Sequence, residues 1–172
     1  MASNVPGGLL PASYEYAVQN KANAMQTVAV GYDYFKTLTI GLIEGQVFSS
    51  SYGVDSAQAV INETAAKALG LANPIGLTVK GPTVNYRIIG VTKDGKAQGF
   101  EATIQPTIYV MTAAPGVAKT QIMISADSKA IPAMLATLQQ QWNSINKLDG
   151  DNFNYHFLDE LYGQLFVKQE QL

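Results

Sequence analysis

The pattern of apolar and polar positions changes sharply between residues 59 and 70. A short β-branched run, Val60-Ile61, is followed at once by Asn62, whose side-chain oxygen can accept hydrogen bonds from the first free amides of a helix. Alanine and leucine then dominate as far as Gly70, a residue type that often ends a helix in the left-handed conformation. The pattern predicts a strand that runs directly into a short helix.

Other short apolar segments bounded by turn residues predict further strands. They cover Tyr14–Val18, Gln26–Val30, Leu77–Lys80, Tyr86–Thr92, Gln105–Met111, Thr120–Ser125 and Phe153–Leu158. The polar residues Asn20–Asn23 predict the turn between the first two strands. Asp33 is expected to cap a short helix over Tyr34–Leu38 whose aromatic pair faces inward.

The longest predicted helix lies in the last third of the chain. It begins at Asp127 or Ser128 and ends near Asn146. Its apolar residues share one helix face, which we interpret as core: Ile131, Met134, Leu135, Leu138, Trp142 and Ile145. A terminal helix is predicted over Asp159–Leu172. Strands and helices together predict a packed domain of mixed α and β structure.

Composition narrows the function classes. The 172 residues fit one domain or two small lobes, and 47% hydrophobic residues can fill a sizeable core. The 11 basic and 13 acidic residues are scattered, so no basic surface for nucleic acid is expected. The absence of cysteine excludes disulfides, thiolate metal sites and a cysteine nucleophile. No apolar run approaches the roughly 20 residues that span a bilayer.

Two segments carry patterns that suggest chemistry. Gly90–Ala97 nearly matches a phosphate-binding loop, but Ala97 stands where a magnesium-binding serine or threonine is needed and no helix pattern follows. We therefore interpret it as a strand end with a polar turn. His156 lies near Asp159 and Glu160, a combination that an acid–base enzyme can use, but a structural or surface role is favoured because no nucleophile motif accompanies it. No catalytic, cofactor-binding or metal-binding residue is assigned.

Aromatic residues mostly fall where a core needs filling, as at Tyr34, Phe35, Phe48 and Phe157. Phe100 differs because it lies in a polar, glycine-flanked loop. With Glu101 it forms the candidate interaction loop. An alternative function follows from the same loop, namely a module that binds a small apolar or peptide ligand in a cleft lined by side chains such as Phe100 and Tyr86.

Several short blocks carry a family resemblance. They are Tyr34–Ile40, Gly45–Phe48, Val60–Ala65, Asn73–Gly76, Ile88–Val91 and Gln105–Tyr109. In order and spacing they resemble the extracytoplasmic domain of MacB/FtsX-like ABC transporter permeases. Tyr155–Glu160 resembles the segment just before that family's membrane-re-entering helix. Gln46 stands where the family usually has arginine, so no charge role is carried over to it.

The resemblance implies an α+β fold with a mixed sheet, packed helices, two lobes and βαβ-like units. It implies that residues 1–172 form a single extracytoplasmic domain, truncated at its N-terminus and ending just before a membrane helix, and tethered to the cytoplasmic membrane. Such a domain performs no chemistry and needs no cofactor. It relays ATP-driven motion and contacts partner proteins or cargo in efflux or in lipoprotein and lipid transport. The implied partners are the membrane-embedded remainder of the permease, its ATPase, and periplasmic or outer-membrane proteins, without nucleic acid.

Overall fold

The computed structural model describes residues 2–3, 11–19, 21–52, 57–95, 103–111, 121–146 and 153–161. Within these ranges the strands are β1 (Ser13–Val18), β2 (Lys21–Ala29), β3 (Leu42–Gly45), β4 (Gln58–Asn62), β5 (Thr78–Lys80), β6 (Asn85–Thr92) and β7 (Thr107–Val110). The α-helices are α1 (Tyr34–Thr37), α2 (Glu63–Leu69) and α3 (Ile131–Ile145), with 3-10 turns at Ser50–Tyr52 and Ser128–Ala130.

Six of these strands close into a ring. Its order is β6–β4–β7–β2–β1–β5, and β5 pairs again with β6. The β4–β6 and β2–β7 pairs are parallel, while the other neighbours are antiparallel. β3 lies outside the ring and pairs only with β6. The expected mixed sheet is confirmed, and β4, α2 and β6 form a βαβ-like unit because the two strands are parallel.

Strand residues alternate between two buried clusters, one on each face of the sheet. On β4, Ala59 and Ile61 belong to the first cluster and Val60 to the second. On β7, Ile108 and Val110 join the first cluster and Tyr109 the second. Strands that are buried on both faces carry near-continuous apolar runs, because every residue of such a strand faces one core or the other. The apolar runs of β4 and β7 have this cause.

Each face of the sheet is covered by helix residues. α2 contributes small side chains and one leucine to the first cluster: Ala65, Ala66 and Leu69. α1 contributes Tyr34 and Phe35 to the second cluster, where the Phe35 and Tyr109 ring centroids lie 5.0 Å apart in an edge-to-face arrangement. The predicted core positions at Tyr34, Phe35 and Phe48 are confirmed because all three are buried, whereas Phe157 is only half-buried and its core assignment is wrong.

The predicted strand–helix unit is confirmed with no loop between its parts. Asn62 ends β4 in an extended conformation and its side chain accepts a hydrogen bond from the Ala65 amide at 2.9 Å. Gly70 ends α2 with φ +66°, a left-handed conformation that favours glycine.

Several predicted boundaries are wrong. The turn predicted at Asn20–Asn23 is shorter, because Val18 pairs directly with Lys21 and β2 begins there. Asp33 precedes α1 but makes no side-chain capping hydrogen bond. The predicted strands at Thr120–Ser125 and Phe153–Leu158 are absent from the described residues: only Gln121 forms a bridge, to Ala2, and residues 153–157 have no regular structure. Alternating apolar residues predict a strand only where a pairing partner is available.

The long helix exists, but its interpretation as core is wrong for the described part of the chain. Asp127 caps the 3-10 turn by accepting from the Lys129 amide at 2.9 Å, and Pro132 lies in the first turn of α3. No residue of α3 is buried, and Trp142 and Ile145 are 39% and 79% exposed. Of the predicted terminal helix, residues 159–161 are helical and the rest lies outside the described residues.

Candidate functional site

The candidate interaction loop is described only at its two ends. Phe100 and Glu101 lie outside the described residues, which stop at Gly95 and resume at Thr103. Their role therefore stays a prediction. Both ends of the loop meet the junction between β4 and α2. We call the residues that hold them the anchor: Asn62, Glu63, Thr64 and Asp94.

Asn62 is the centre of the anchor. Its side-chain oxygen accepts hydrogen bonds from two backbone amides, those of Ala65 and Thr107, each at 2.9 Å. Its side-chain amide donates to the carbonyl oxygen of Gln105 at 3.0 Å. One buried side chain thus caps α2 and holds the segment that leads from the loop into β7. Burial raises the contribution of each hydrogen bond to the stability of the fold, because an unpaired buried group would have no water to bind.

Asp94 holds the other end of the loop. One carboxylate oxygen accepts from the Thr64 amide at 3.1 Å, and the other accepts from the Thr64 hydroxyl at 2.8 Å. The amide of Asp94 in turn donates to the Glu63 carboxylate at 3.3 Å. Asn62 and Asp94 together satisfy amides in the first turn of α2, so this helix end is occupied by the protein itself.

Charges at the surface of the anchor favour the same arrangement. The Glu63 carboxylate accepts from the Lys67 ammonium at 3.0 Å, one helical turn further on. This hydrogen bond, with the one from the Asp94 amide, holds the pKa of Glu63 below its usual value. Behind the anchor, burial raises the pKa of Tyr109, and the negative charge of Asp94 raises it further.

The anchor is built to hold a loop rather than to perform chemistry. The polar atoms that join the loop ends to the β4–α2 junction are used in bonds between segments that lie 30 to 45 residues apart in the sequence. The cap at Asn62 was predictable, but its bonds to Gln105 and Thr107 were not. Asp94 was missed altogether, because no local pattern indicates a carboxylate that caps a helix formed so far upstream.

The segment that resembles a phosphate loop is described only as far as Gly95. The predicted strand end is confirmed, because β6 ends at Thr92, and residues 93–95 have no regular structure. Gly90 lies inside β6 rather than in a loop, and a Cβ atom there would collide with the carbonyl oxygen of Gln46. Glycine is therefore needed for the close approach of the chain beside β6. The carboxylate of Asp94, at the centre of the pattern, is already bound to Thr64.

The residues considered for acid–base chemistry lie at the surface. His156, Asp159 and Glu160 are exposed, and the carboxylate of Asp159 accepts from the Glu160 amide at 3.1 Å. In the part of the chain that is described, no three histidine, cysteine, aspartate or glutamate side chains come together as metal ligands. Tyr86, proposed to line a ligand cleft, is instead 1% exposed in the first core cluster, so that part of the alternative is wrong. The described helices are all too short or too polar to traverse a bilayer.

Comparison with known proteins shows which family this chain matches and which solved structures are similar to it. The family of MacB-like periplasmic core domains matches residues 5–141 of the chain. The crystal structure of the periplasmic region of MacB from Actinobacillus actinomycetemcomitans is similar over 78% of this chain and 63% of that one, with 22% identity and a TM-score of 0.59. The extracellular domain of the noncanonic ABC-type transporter YknZ from Gram-positive bacteria is similar over 78% and 71%, with 15% identity and a TM-score of 0.61. No curated protein matches the sequence. At these identities the structural likeness shows the fold, and the chain spans under two thirds of the MacB region.

Proposed function

This chain belongs to the family of MacB-like periplasmic core domains, and on that premise we propose that it relays ATP-driven motion within an ABC transporter permease and contacts partner proteins or cargo. The family is an extracytoplasmic part of such permeases and is not a catalytic family. In the proposal the domain, residues 1–172, performs no chemistry, binds no cofactor and has no nucleic acid partner. Its partners are the membrane-embedded remainder of the permease, the ATPase, and proteins of the periplasm or outer membrane.

The observation that carries the proposal is the anchor around Asn62 and Asp94. A relay needs a body that moves without deforming and a contact element fixed firmly to it. The closed ring, packed on both faces, has the properties of such a body. Asn62 and Asp94 tie both ends of the candidate interaction loop to this body. We infer that Phe100 and Glu101 make the contact and that the ring carries them.

Spin labels in the full-length permease test the relay. The chain has no cysteine, so labels attach only at introduced sites if the remainder of the permease is also made cysteine-free. One pair, Lys36→Cys with Lys67→Cys, spans the sheet, because these exposed residues lie on α1 and α2 over opposite faces. A second pair joins Lys67→Cys to a label at the membrane-embedded part.

We expect ATP trapping to change the distances of the second pair and to leave those of the first pair unchanged. The double substitution Phe100→Ala with Glu101→Gln tests the candidate interaction loop and should uncouple transport from ATP hydrolysis. His156→Ala is its control and should leave transport and ATP hydrolysis unchanged. A second pair that does not respond to ATP would reject the relay. Loss of transport in His156→Ala, with the fold intact, would instead favour chemistry at that residue.

A further inference from the structure

Among the seven strands of the described chain, only β3 pairs on one side. Its neighbour there is β6, whereas the ring gives each of the other strands a neighbour on both sides. A strand with a free edge presents backbone N–H and C=O groups to which another strand can bond. The edge of β3 is therefore the place in this sheet where a further strand can be added.

The bonds at the two ends of β3 determine which groups are free. The Gly41 carbonyl accepts a hydrogen bond at 2.8 Å from the amide of Lys93, the residue that follows β6. The Gln46 amide donates to the Ile89 carbonyl of β6 at 2.9 Å. Backbone groups of an antiparallel pair alternate in direction from one residue to the next. The N–H and C=O groups of Leu42 therefore point away from β6. The C=O group of Gly45 also points away, because it is opposite the Gln46 N–H across one peptide bond, but the Gly45 N–H does not follow the alternation because its φ is +75°.

A bulge gives these free groups the spacing of a regular strand. Leu42 lies opposite Thr92 and Gly45 opposite Gly90, so three steps along β3 match two steps along β6. An added strand repeats its hydrogen-bonding residues every two steps. It can therefore meet both backbone groups of Leu42 and the C=O group of Gly45 at the same time without a bulge of its own.

The side chains beside the edge favour an apolar partner. Leu42, Ile43 and Ile75 are 45%, 50% and 37% exposed, and Ile75 lies against Gly45. One acidic residue, Glu44, lies on the strand, and one basic side chain, Lys93, lies against Gly41. Because these charges balance, the edge selects neither a strongly acidic nor a strongly basic segment.

We propose that the β3 edge binds an extended segment of a partner protein, which joins the sheet as an added strand and lays apolar side chains over Leu42, Ile43 and Ile75. Backbone hydrogen bonds supply affinity in this mode and side-chain contacts supply specificity. The inference rests on the partner contact in the proposed function and not on the relay of motion.

The size of the edge favours a peptide segment over a second copy of the chain. Because of the bulge, the four residues of β3 cover the length of three regular strand residues, each of which rises about 3.4 Å, so the edge is about 10 Å long. A stable interface between folded proteins buries roughly 1,200 Å² or more, which such an edge cannot provide alone. A short extended segment needs no larger surface than this.

Peptides selected on the purified chain from a phage-displayed random octapeptide library are the probe. We expect binders with apolar residues at alternate positions, and slower hydrogen exchange at the Leu42 amide when they bind. Leu42→Pro removes an outward N–H without breaking a bond to β6, since proline is tolerated on free edges. It should weaken binding about two- to tenfold relative to Leu42→Ala, which keeps the N–H and controls for the lost side chain.

A second variant, Leu42→Lys with Ile43→Lys, replaces Leu42→Pro as the test if the proline variant does not fold. It leaves the backbone intact and should abolish binding. The inference is overturned if no peptide is selected, if exchange slows elsewhere in the chain, or if Leu42→Pro and Leu42→Ala bind alike. It is also overturned if the chain associates with itself through this edge and the lysine variant prevents that. Binding without ATP-dependent motion would leave the inference standing and reject the relay alone.

Discussion

The ring and the described segments from residue 121 onward both carry regular apolar patterns, but they reach opposite degrees of burial. In the ring, successive residues of β4 and β7 are buried on alternate faces, because α1 and α2 cover those faces. In α3 the apolar residues share one face as regularly, yet none is buried. Periodicity therefore identifies the face that seeks a neighbour, whereas burial depends on whether a neighbour is supplied.

The aromatic contacts show the same difference. Tyr34, Phe35 and Tyr109 pack together as buried rings on the sheet. Trp142 and Tyr155 also take part in ring contacts, through Phe153, but remain 39% and 51% exposed. Contacts of similar geometry stabilise less when water reaches the rings, because less apolar area is removed from water. We therefore expect the free energy of folding to be concentrated in the ring.

A matched pair of isoleucines gives the largest expected effect and can break this comparison. Ile61→Ala removes a fully buried side chain from β4 and should lower the free energy of unfolding by about 2–5 kcal/mol. Ile145→Ala makes the same chemical change on α3, where the side chain is 79% exposed, and should cost at most about 0.5 kcal/mol. Urea unfolding of the purified chain measures both. Equal losses would show that the face of α3 is as well covered as the sheet.

A matched pair of capping residues sharpens the comparison. Asn62→Ala removes the cap of α2 and leaves the buried Thr107 amide without its acceptor, so unfolding should become easier by about 2–3 kcal/mol. Asp127→Ala removes an exposed cap before α3 and should cost about 0.5–1 kcal/mol. Thermal and urea unfolding give both values. If the Asp127 substitution is the more costly, the anchor is not the stabilising element inferred here.

The smallest predicted effect tests whether water is excluded from the Tyr109 side chain in the cluster that α1 covers. Burial raises the pKa of Tyr109 above its ordinary value of 10.0, so above about pH 10 the unfolded chain loses a proton that the folded chain keeps. Stability should then fall with rising pH, by up to about 1.4 kcal/mol per unit from this residue. Tyr109→Phe should remove that part of the alkaline loss in unfolding measured between pH 8 and 11. An identical pH dependence in both proteins would mean that water reaches the Tyr109 hydroxyl.

Local features of the fold were predictable from the sequence, while long-range features were not. The strand–helix unit ending at Gly70 follows from signals within a dozen residues, namely an apolar run, a capping asparagine and a terminal glycine. The predicted strand at Thr120–Ser125 has the same kind of alternation but pairs only at Gln121. Ring closure depends on the pairing of strands far apart in the chain, which no local pattern specifies.

The candidate site divides in the same way. Asn62 was predictable as a cap because capping is a local property. Its bonds to the start of β7, and the bond between Asp94 and Thr64, join segments that become neighbours only in the folded chain. Phe100 and Glu101 were selected from composition alone and remain predictions that the spin-label controls test.

Hydrogen exchange of the purified chain tests the central comparison most directly, since it reports the stability of each element separately. We predict that amides of β4, β6 and β7 exchange slowest, at rates set by global unfolding. Amides of α3 should exchange orders of magnitude faster, because no buried side chain holds that helix in place. Protection of α3 equal to that of β4 would contradict the account, since the C-terminal segment would then belong to the same stable body as the ring.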